Sequence, residues 1–276
     1  MKTILIPIDF SSATQHVLNY VAYASKDVEI MRIILLISTY TSIYQQIIFS
    51  AEYMCLNEHN VETERKGIVS HLEDLSHKFS ERVNITTKVE KAITELPLIN
   101  AINRLIAQED PDLLILNSDQ SDVKSGYIGK NVIAIVKAST VPTLVIPSNA
   151  HYQTFQTALV PIDFQELDRL TVFRQPLAVT SHISPFLKVL DITGRGDFQR
   201  EKQNLSRLLT GFSFEAYQTE NSDILEGIMG FIRQHDLQLI IALPGKYNFF
   251  KRLTHKSITQ TIALKSDLPV LILKQP

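Results

Sequence analysis

A single cysteine, Cys55, in 276 residues excludes an intramolecular disulfide framework and fits a reducing compartment. Long apolar runs are also missing. The opening MKTILIPIDFSS is broken by Pro7 and Asp9 too early for a leader peptide. The stretch IMRIILLI carries Arg32, and no run approaches the roughly 18 apolar residues that a membrane span needs. A cytoplasmic protein is therefore expected. A large charge of either sign is absent too: 27 basic and 29 acidic residues leave a net −2. Such a balance gives no global pull toward nucleic acid or anionic membrane. Glycine is sparse, nine in all, which matters for any loop expected to wrap a phosphate.

What the chain does contain is an internal repeat. TILIPIDFSS (3–12) matches TALVPIDFQE (157–166), DLLIL (112–116) matches QLIIA (238–242), and PTLVIP (142–147) matches PVLILK (269–274). Three anchors recurring in one order indicate duplicated domains rather than a solenoid. The polar segment SNAHYQTFQ (148–156) is the expected linker, which places the domains at 1–150 and 151–276. The halves differ in charge, net −4 for 1–150 and +2 for 151–276.

Within each half, short apolar runs alternate with helix-length segments. In the first half strands are expected near 3–8, 30–37, 85–90, 112–117 and 142–146. Helices are expected near 12–25, 61–81, 95–108 and 129–139. Ser11 or Ser12 suits the first helix as a cap, and Thr94 with Pro97 in the first turn suits the third. In the second half strands fall near 157–162, 186–192, 213–218, 238–243 and 269–273, with a first helix over about 165–175 that ends at Pro176. This alternation predicts an α/β fold of two tandem, doubly wound, parallel five-stranded sheets. Ligands of such sheets sit beyond the carboxyl ends of the strands, at a topological switch point.

The strand ending Pro-Ile-Asp-Phe, halves of about 140 residues and the closing P-(T/V)-L-(V/I)-I strand resemble the universal stress protein family, in its tandem form. The resemblance spans nearly the whole chain and is weakest at 165–235. It implies an adenine nucleotide alpha hydrolase-like, Rossmann-like fold. It also implies that the closing strands, apolar and expected at sheet edges, pair across a twofold axis to make an internal pseudo-dimer. In nucleotide-binding members the loop after the fourth strand reads G-x2-G-x9-G-(S/T). Glycines permit positive φ and close backbone approach, and the next helix presents free amides to phosphate. The aspartate ending the first strand, here Asp9 and Asp163, faces the adenosine end in those proteins.

This chain departs from the motif. Asn117 and Gln120 stand at the first two glycine positions of the first half, and Gly129-Lys130 fits the final pair only if the loop is one residue short. Otherwise that pair is Lys130-Asn131. In the second half Leu243, Lys246 and Lys256 replace all three glycines, and only Ser257 survives. Forcing non-glycine residues left-handed costs about 1–2 kcal/mol each. The expected protein is thus a non-catalytic stress-response module with degenerate nucleotide sites, working through protein partners or a small anion. The alternative is an adenine-nucleotide (ATP) sensor with one site in the first half, built from Asp9, Thr39, Asn117 and Gly129–Asn131.

Competing signals are weaker. GYIGKN (126–131) fails as a Walker loop, because Lys124 holds the first glycine position and Asn131 the hydroxyl position. The eight histidines form no HExxH motif and there is no GxSxG elbow, so no catalytic residue and no metal ligand is assigned. Lys246, Lys251, Arg252, His255 and Lys256 form the densest basic cluster, readable as an anion site or as a solvated helix start. Phe249 and Phe250 within it read as pins onto the core. The segment 39–60 has helical apolar spacing and reads as local packing or a partner-binding lid.

Overall fold

The computed structural model describes residues 3–40, 58–118, 127–174, 185–194, 197–219, 223–243 and 266–274. The first half contributes strands β1 (Thr3–Ile8), β2 (Arg32–Ser38), β3 (Lys88–Thr94), β4 (Leu113–Asn117) and β5 (Thr143–Ile146). Its helices are α1 (Ser12–Asp27), α2 (Glu58–Ser80), α3 (Leu98–Glu109) and α4 (Tyr127–Ala138). The second half contributes β6 (Thr157–Ile162), β7 (Phe186–Asp191), β8 (Phe214–Gln218), β9 (Leu239–Ala242) and β10 (Val270–Ile272). A 3-10 helix spans Phe164–Arg174, and α5 (Phe198–Leu208) and α6 (Ile224–Gln234) follow.

All ten strands form one sheet in the order β3-β2-β1-β4-β5-β10-β9-β6-β7-β8. Among the described strands neighbours run parallel except at the centre, where Val270, Leu271 and Ile272 run antiparallel to Val145, Leu144 and Thr143. The expected pseudo-dimer is therefore a continuous sheet. The closing strands lie at its centre, not at its edges, and they cover each other's otherwise bare apolar edges. Across the seam Asn149 donates to Asp267 at 2.6 Å, and Lys274 Nζ donates to the Val136 carbonyl near the end of α4 at 2.5 Å. Burial at that site lowers the Lys274 pKa.

The period of two along each strand splits the core into two layers. Ile4, Ile6, Ile8, Ile33, Leu35 and Ile37 pack on one face, with α1, α2, the 3-10 helix and α5. Leu5, Ile34, Leu36, Leu114 and Leu116 pack on the other, with α3, α4 and α6. Strands buried on both faces read as unbroken hydrocarbon, which is why most of them are visible in the sequence.

Three expectations need correction. The third strand is Lys88–Thr94 rather than 85–90, and Ile85 is 99% exposed. Thr94 does not cap α3. Its hydroxyl accepts from the Leu96 amide at 3.1 Å, and Pro97 is itself the N-cap, with no side-chain cap bond. The helix expected over 165–175 is a kinked 3-10 helix, with Glu166 at φ −124° and ψ 34°. Its first closure runs from the Glu166 amide to the Asp163 carbonyl at 2.8 Å, an i to i+3 bond. Most of the segment 39–60 lies outside the described residues, where only Thr39, Tyr40 and the start of α2 are placed.

Candidate functional site

The crevice between β1 and β4 follows from a proline. The backbone of Thr3 faces β4, since the Asp112 amide donates to the Thr3 carbonyl at 2.9 Å. Alternation then turns Leu5 and Pro7 to the same side. Ile4 and Leu5 pair with Leu113 and Leu114, while Pro7 has no N–H to continue the ladder. Pairing with β2 continues to Ile8. The strands part at Pro7, and Asp9 stands at the opening. The second half repeats this, with Ala158 and Leu159 pairing β9 before Pro161 ends the ladder and Asp163 follows.

Asp9 is held from two directions. Its Oδ1 accepts from the Ser11 hydroxyl at 2.6 Å, the Ser11 amide at 3.2 Å and the Thr14 hydroxyl at 2.8 Å. Ser11 is the N-cap of α1, and its Oγ accepts from the Thr14 amide at 3.2 Å. The other oxygen, Oδ2, accepts from the Ile128 amide at 3.0 Å, in the first turn of α4. One carboxyl group thus serves two helix N-termini, where negative charge is favoured. Between these contacts Phe10 sits at φ 57°, a left-handed conformation unusual for a bulky residue. Its ring stacks on His71 of α2, with centroids 4.2 Å apart and planes 4° from parallel.

The other first-half candidates divide. Thr39, just past β2, and Asn117, the last residue of β4, are buried, at 5% and 3% exposure. The Thr39 amide and hydroxyl both turn to the Thr94 carbonyl, at 2.9 and 3.2 Å, toward β3. After Asn117, the Ser118 amide continues the β5 ladder to the Ile146 carbonyl at 3.0 Å. Gly129 is buried in the first turn of α4, Lys130 is exposed and Asn131 is half-buried. Asp9 is thus brought against the helix start that carries Gly129, Lys130 and Asn131, whereas the Thr39 amide and hydroxyl bond toward β3.

In the second half Asp163 is bonded to the start of the 3-10 helix and to the turn after β7. Its Oδ1 accepts from the Gln165 amide at 2.9 Å and from the Thr193 hydroxyl at 3.2 Å. Beside it stands a residue not anticipated as part of the site. Asp191, at the end of β7, is fully buried. It accepts from the Thr193 amide (3.2 Å) and hydroxyl (3.1 Å), from Gln218 Nε2 (3.2 Å) and from the Phe164 amide (3.4 Å). The signal for it was D-I-T-G, an Asx-turn sequence directly after an apolar strand. Gly194 in that turn has φ 63°, and a Cβ there would meet the Thr219 carbonyl at 3.1 Å. Lys256, Ser257, Phe249, Phe250 and the rest of the basic cluster lie outside the described residues, as does Gly126.

A family model describing universal stress proteins matches residues 1–147. The chain belongs to the universal stress protein family. Solved structures with the family's fold extend the likeness beyond the matched region. A universal stress protein from Archaeoglobus fulgidus is 15% identical, with 99% of this chain and 96% of that one covered at a TM-score of 0.64. A protein assigned to the same family from Pseudomonas aeruginosa UCBPP-PA14 is 13% identical, covering 99% and 92% at a TM-score of 0.58. A protein of unknown function from Pseudomonas aeruginosa PAO1 gives 13%, 99% and 92% at 0.54. No curated protein matches the chain. At these identities the structures establish the fold alone, an α/β fold with a parallel-dominated sheet.

Other places for a ligand are less developed. A cleft of about 580 Å³ opens between α1 and α2, lined by Gln15, His71, Asp74, Lys78 and Arg82 among others. None of the anticipated site residues lines it. Among the described residues no group of three or more His, Cys, Asp or Glu side chains is placed to hold a metal. Among them too, no helix is long and apolar enough to cross a membrane.

Proposed function

We propose that this universal stress protein is a tandem, non-catalytic stress-response module with units at 1–150 and 151–276 and degenerate nucleotide sites. It works by binding a protein partner or a small anion. The observation that carries the reading is the engagement of Asp9. The carboxyl group expected at the adenosine end is bonded to Ser11, Thr14 and Ile128 of its own chain. Asp163 is likewise engaged by Gln165 and Thr193. In the sequence, the glycine positions of the two phosphate-loop motifs are held by Asn117, Gln120, Leu243, Lys246 and Lys256. A micromolar ligand needs about −8 kcal/mol, and an exposed helix terminus offers about 0.3–1 kcal/mol per anionic group.

One feature favours the alternative, an ATP-responsive sensor in the first half. The first turn of α4, with Gly129 buried and Lys130 exposed, already holds an anionic group. A thermal-shift titration with ATP, ADP and AMP, with and without magnesium, separates the two. Binding at a hundredfold excess over Kd adds about 2.7 kcal/mol of stability. The degenerate reading expects no saturable rise in Tm up to millimolar nucleotide. A saturable rise, lost in Lys130→Ala, replaces it with the sensor.

A further inference from the structure

We propose that the cleft between α1 and α2 binds a small zwitterion with an apolar body, of the size of a dipeptide. Asp74 takes its ammonium group, and Lys78 with Arg82 takes its carboxylate. The inference goes beyond the degenerate-site reading and does not depend on it, because none of these three residues belongs to the crevice at Asp9.

Four observations carry it. The cleft has room for such a molecule, about 580 Å³, and every residue that lines it lies among the described residues. Its floor is hydrocarbon, from Leu18 of α1 and from Leu75 and Phe79 of α2. Along its rim α2 sets charges in a fixed order. His71, Asp74 and Lys78 follow one another at intervals of three and four residues, on one face of the helix, and Arg82 comes just past its end. The charges that line the cleft are also uncommitted. On the same helix Arg65 pairs with Glu95, Glu73 with Lys91 and His77 with Glu81. Asp74 and Lys78 stand one turn apart, the spacing at which opposite charges normally close on each other. Yet among the described residues neither makes an ion pair. They are about 6 Å apart along the helix axis, and the termini of an extended dipeptide are about 7 Å apart. Finally, both ends of the row are braced. His71 stacks on Phe10. Arg82 donates to Asn19 Oδ1 of α1 at 2.7 Å, a neutral acceptor that leaves its charge and its other N–H groups for a carboxylate. An anion alone would meet Asp74, and a cation alone would meet Lys78 and Arg82. A molecule carrying both signs satisfies all three.

The test is an NMR titration of the full chain with leucyl-leucine, read at the Gln15 side-chain amide, the His71 ring and the Leu75 methyl groups. Saturable shifts are expected there, with a Kd of about 1 mM. Acetyl-leucyl-leucine lacks the ammonium and leucyl-leucinamide lacks the carboxylate, and each is expected to bind about fivefold more weakly. Asp74→Asn should weaken leucyl-leucine by the same factor and abolish its advantage over the acetylated form. Lys78→Met should likewise narrow its advantage over the amide. Glu73→Gln, on the same helix but tied to Lys91 instead of lining the cleft, should bind as the wild type. The blocked peptides probe the wild type directly, so the result does not hang on the folding of any variant. Absence of a saturable shift up to tens of millimolar leucyl-leucine overturns the proposal. Binding that is indifferent to both blocked ends overturns it too, as simple apolar adhesion. An equal loss in Glu73→Gln reports general surface charge, and shifts confined to Ile128 and Lys130 put the ligand in the other crevice. Either outcome also rejects the cleft, and none of these results bears on the nucleotide titration.

Discussion

Asp9 and Asp163 each follow the same Pro-Ile dipeptide where a central strand parts from its neighbour, yet their surroundings diverge within five residues. After Asp9 comes Ser11, the cap of a regular 16-residue helix, and with Thr14 it ties one carboxyl oxygen and leaves the other for α4. After Asp163 come Gln165 and Glu166, and the chain closes into a 3-10 helix, with Thr193 drawing the carboxyl group toward β7. The flanking strands diverge as well. Ile8 lies beside Ile37 in the first half, and at the matching position Ile162 lies beside Asp191. The difference teaches that a strand whose motif recurs keeps its path because hydrocarbon on both faces holds it. The polar residues just beyond are free to be rewired.

The comparison can be broken most forcefully at the seam the halves share. Leu271→Ala removes a side chain that is 2% exposed and pairs with Leu144, and should cost about 3 kcal/mol by urea denaturation. A loss below 1 kcal/mol would mean that the halves do not depend on their junction. Next comes Asp191→Ile, which gives the second half the residue of the first. It removes the acceptor of the Thr193 amide, Gln218 Nε2 and the Phe164 amide and should cost about 2 kcal/mol, where an unchanged midpoint would show those bonds to be idle. Ser11→Ala should cost about 1 kcal/mol through loss of the α1 cap. Asp163→Ala removes an acceptor for the Gln165 amide at the start of the shorter, kinked 3-10 helix and should cost less. The reverse ranking would undo the contrast.

The smallest effect concerns pH. Arg32 hydrogen-bonds Glu90 and Glu109 at the outer edge of the first half, and the matching residue in the second is Phe186, 38% exposed. The Arg32 hydrogen bond, with that of Lys88, holds the Glu90 carboxyl below its usual range. A lowered folded value adds stability above the unfolded value, and that stability is lost as pH falls through the folded one. Glu90→Gln should therefore cost about 0.5 kcal/mol at neutral pH and flatten the decline below about pH 4. Parallel acid limbs for variant and wild type would remove Glu90 from that decline.

Much of this arrangement could be read from the residues. Nine of the ten strands stand close to their expected places, most of them because Ile, Leu and Val buried on both faces leave an unmistakable run. The exception, β3, lies at the sheet edge. KVEKAIT is half solvated and does not look apolar, while Asn84–Thr87, rich in β-formers, forms a turn around an exposed Ile85. The 3-10 helix was missed for a related reason. Its apolar residues have helical spacing, but spacing does not report whether a cap such as Ser11 is present. At the site, Asp9 was legible as a residue of interest, but its bond to Ile128 was not. A contact between residues 119 apart in sequence depends on where the sheet puts two loops. Asp191 was hidden by its position inside a strand expected to be plain core.

The central junction also dictates a sequence of events in time. Val145 and Val270 are neighbours in the sheet but far apart along the chain, and pairings of such long range form late. Until β10 arrives, the fully buried strand Thr143–Ile146 is a bare hydrophobic ledge on an otherwise assembled first half. That intermediate is the species most exposed to sticking to its own kind. Newly made chains are therefore expected to pass through a vulnerable interval that the finished molecule, with Lys88, Glu90 and Lys91 along its outer edge, no longer shows.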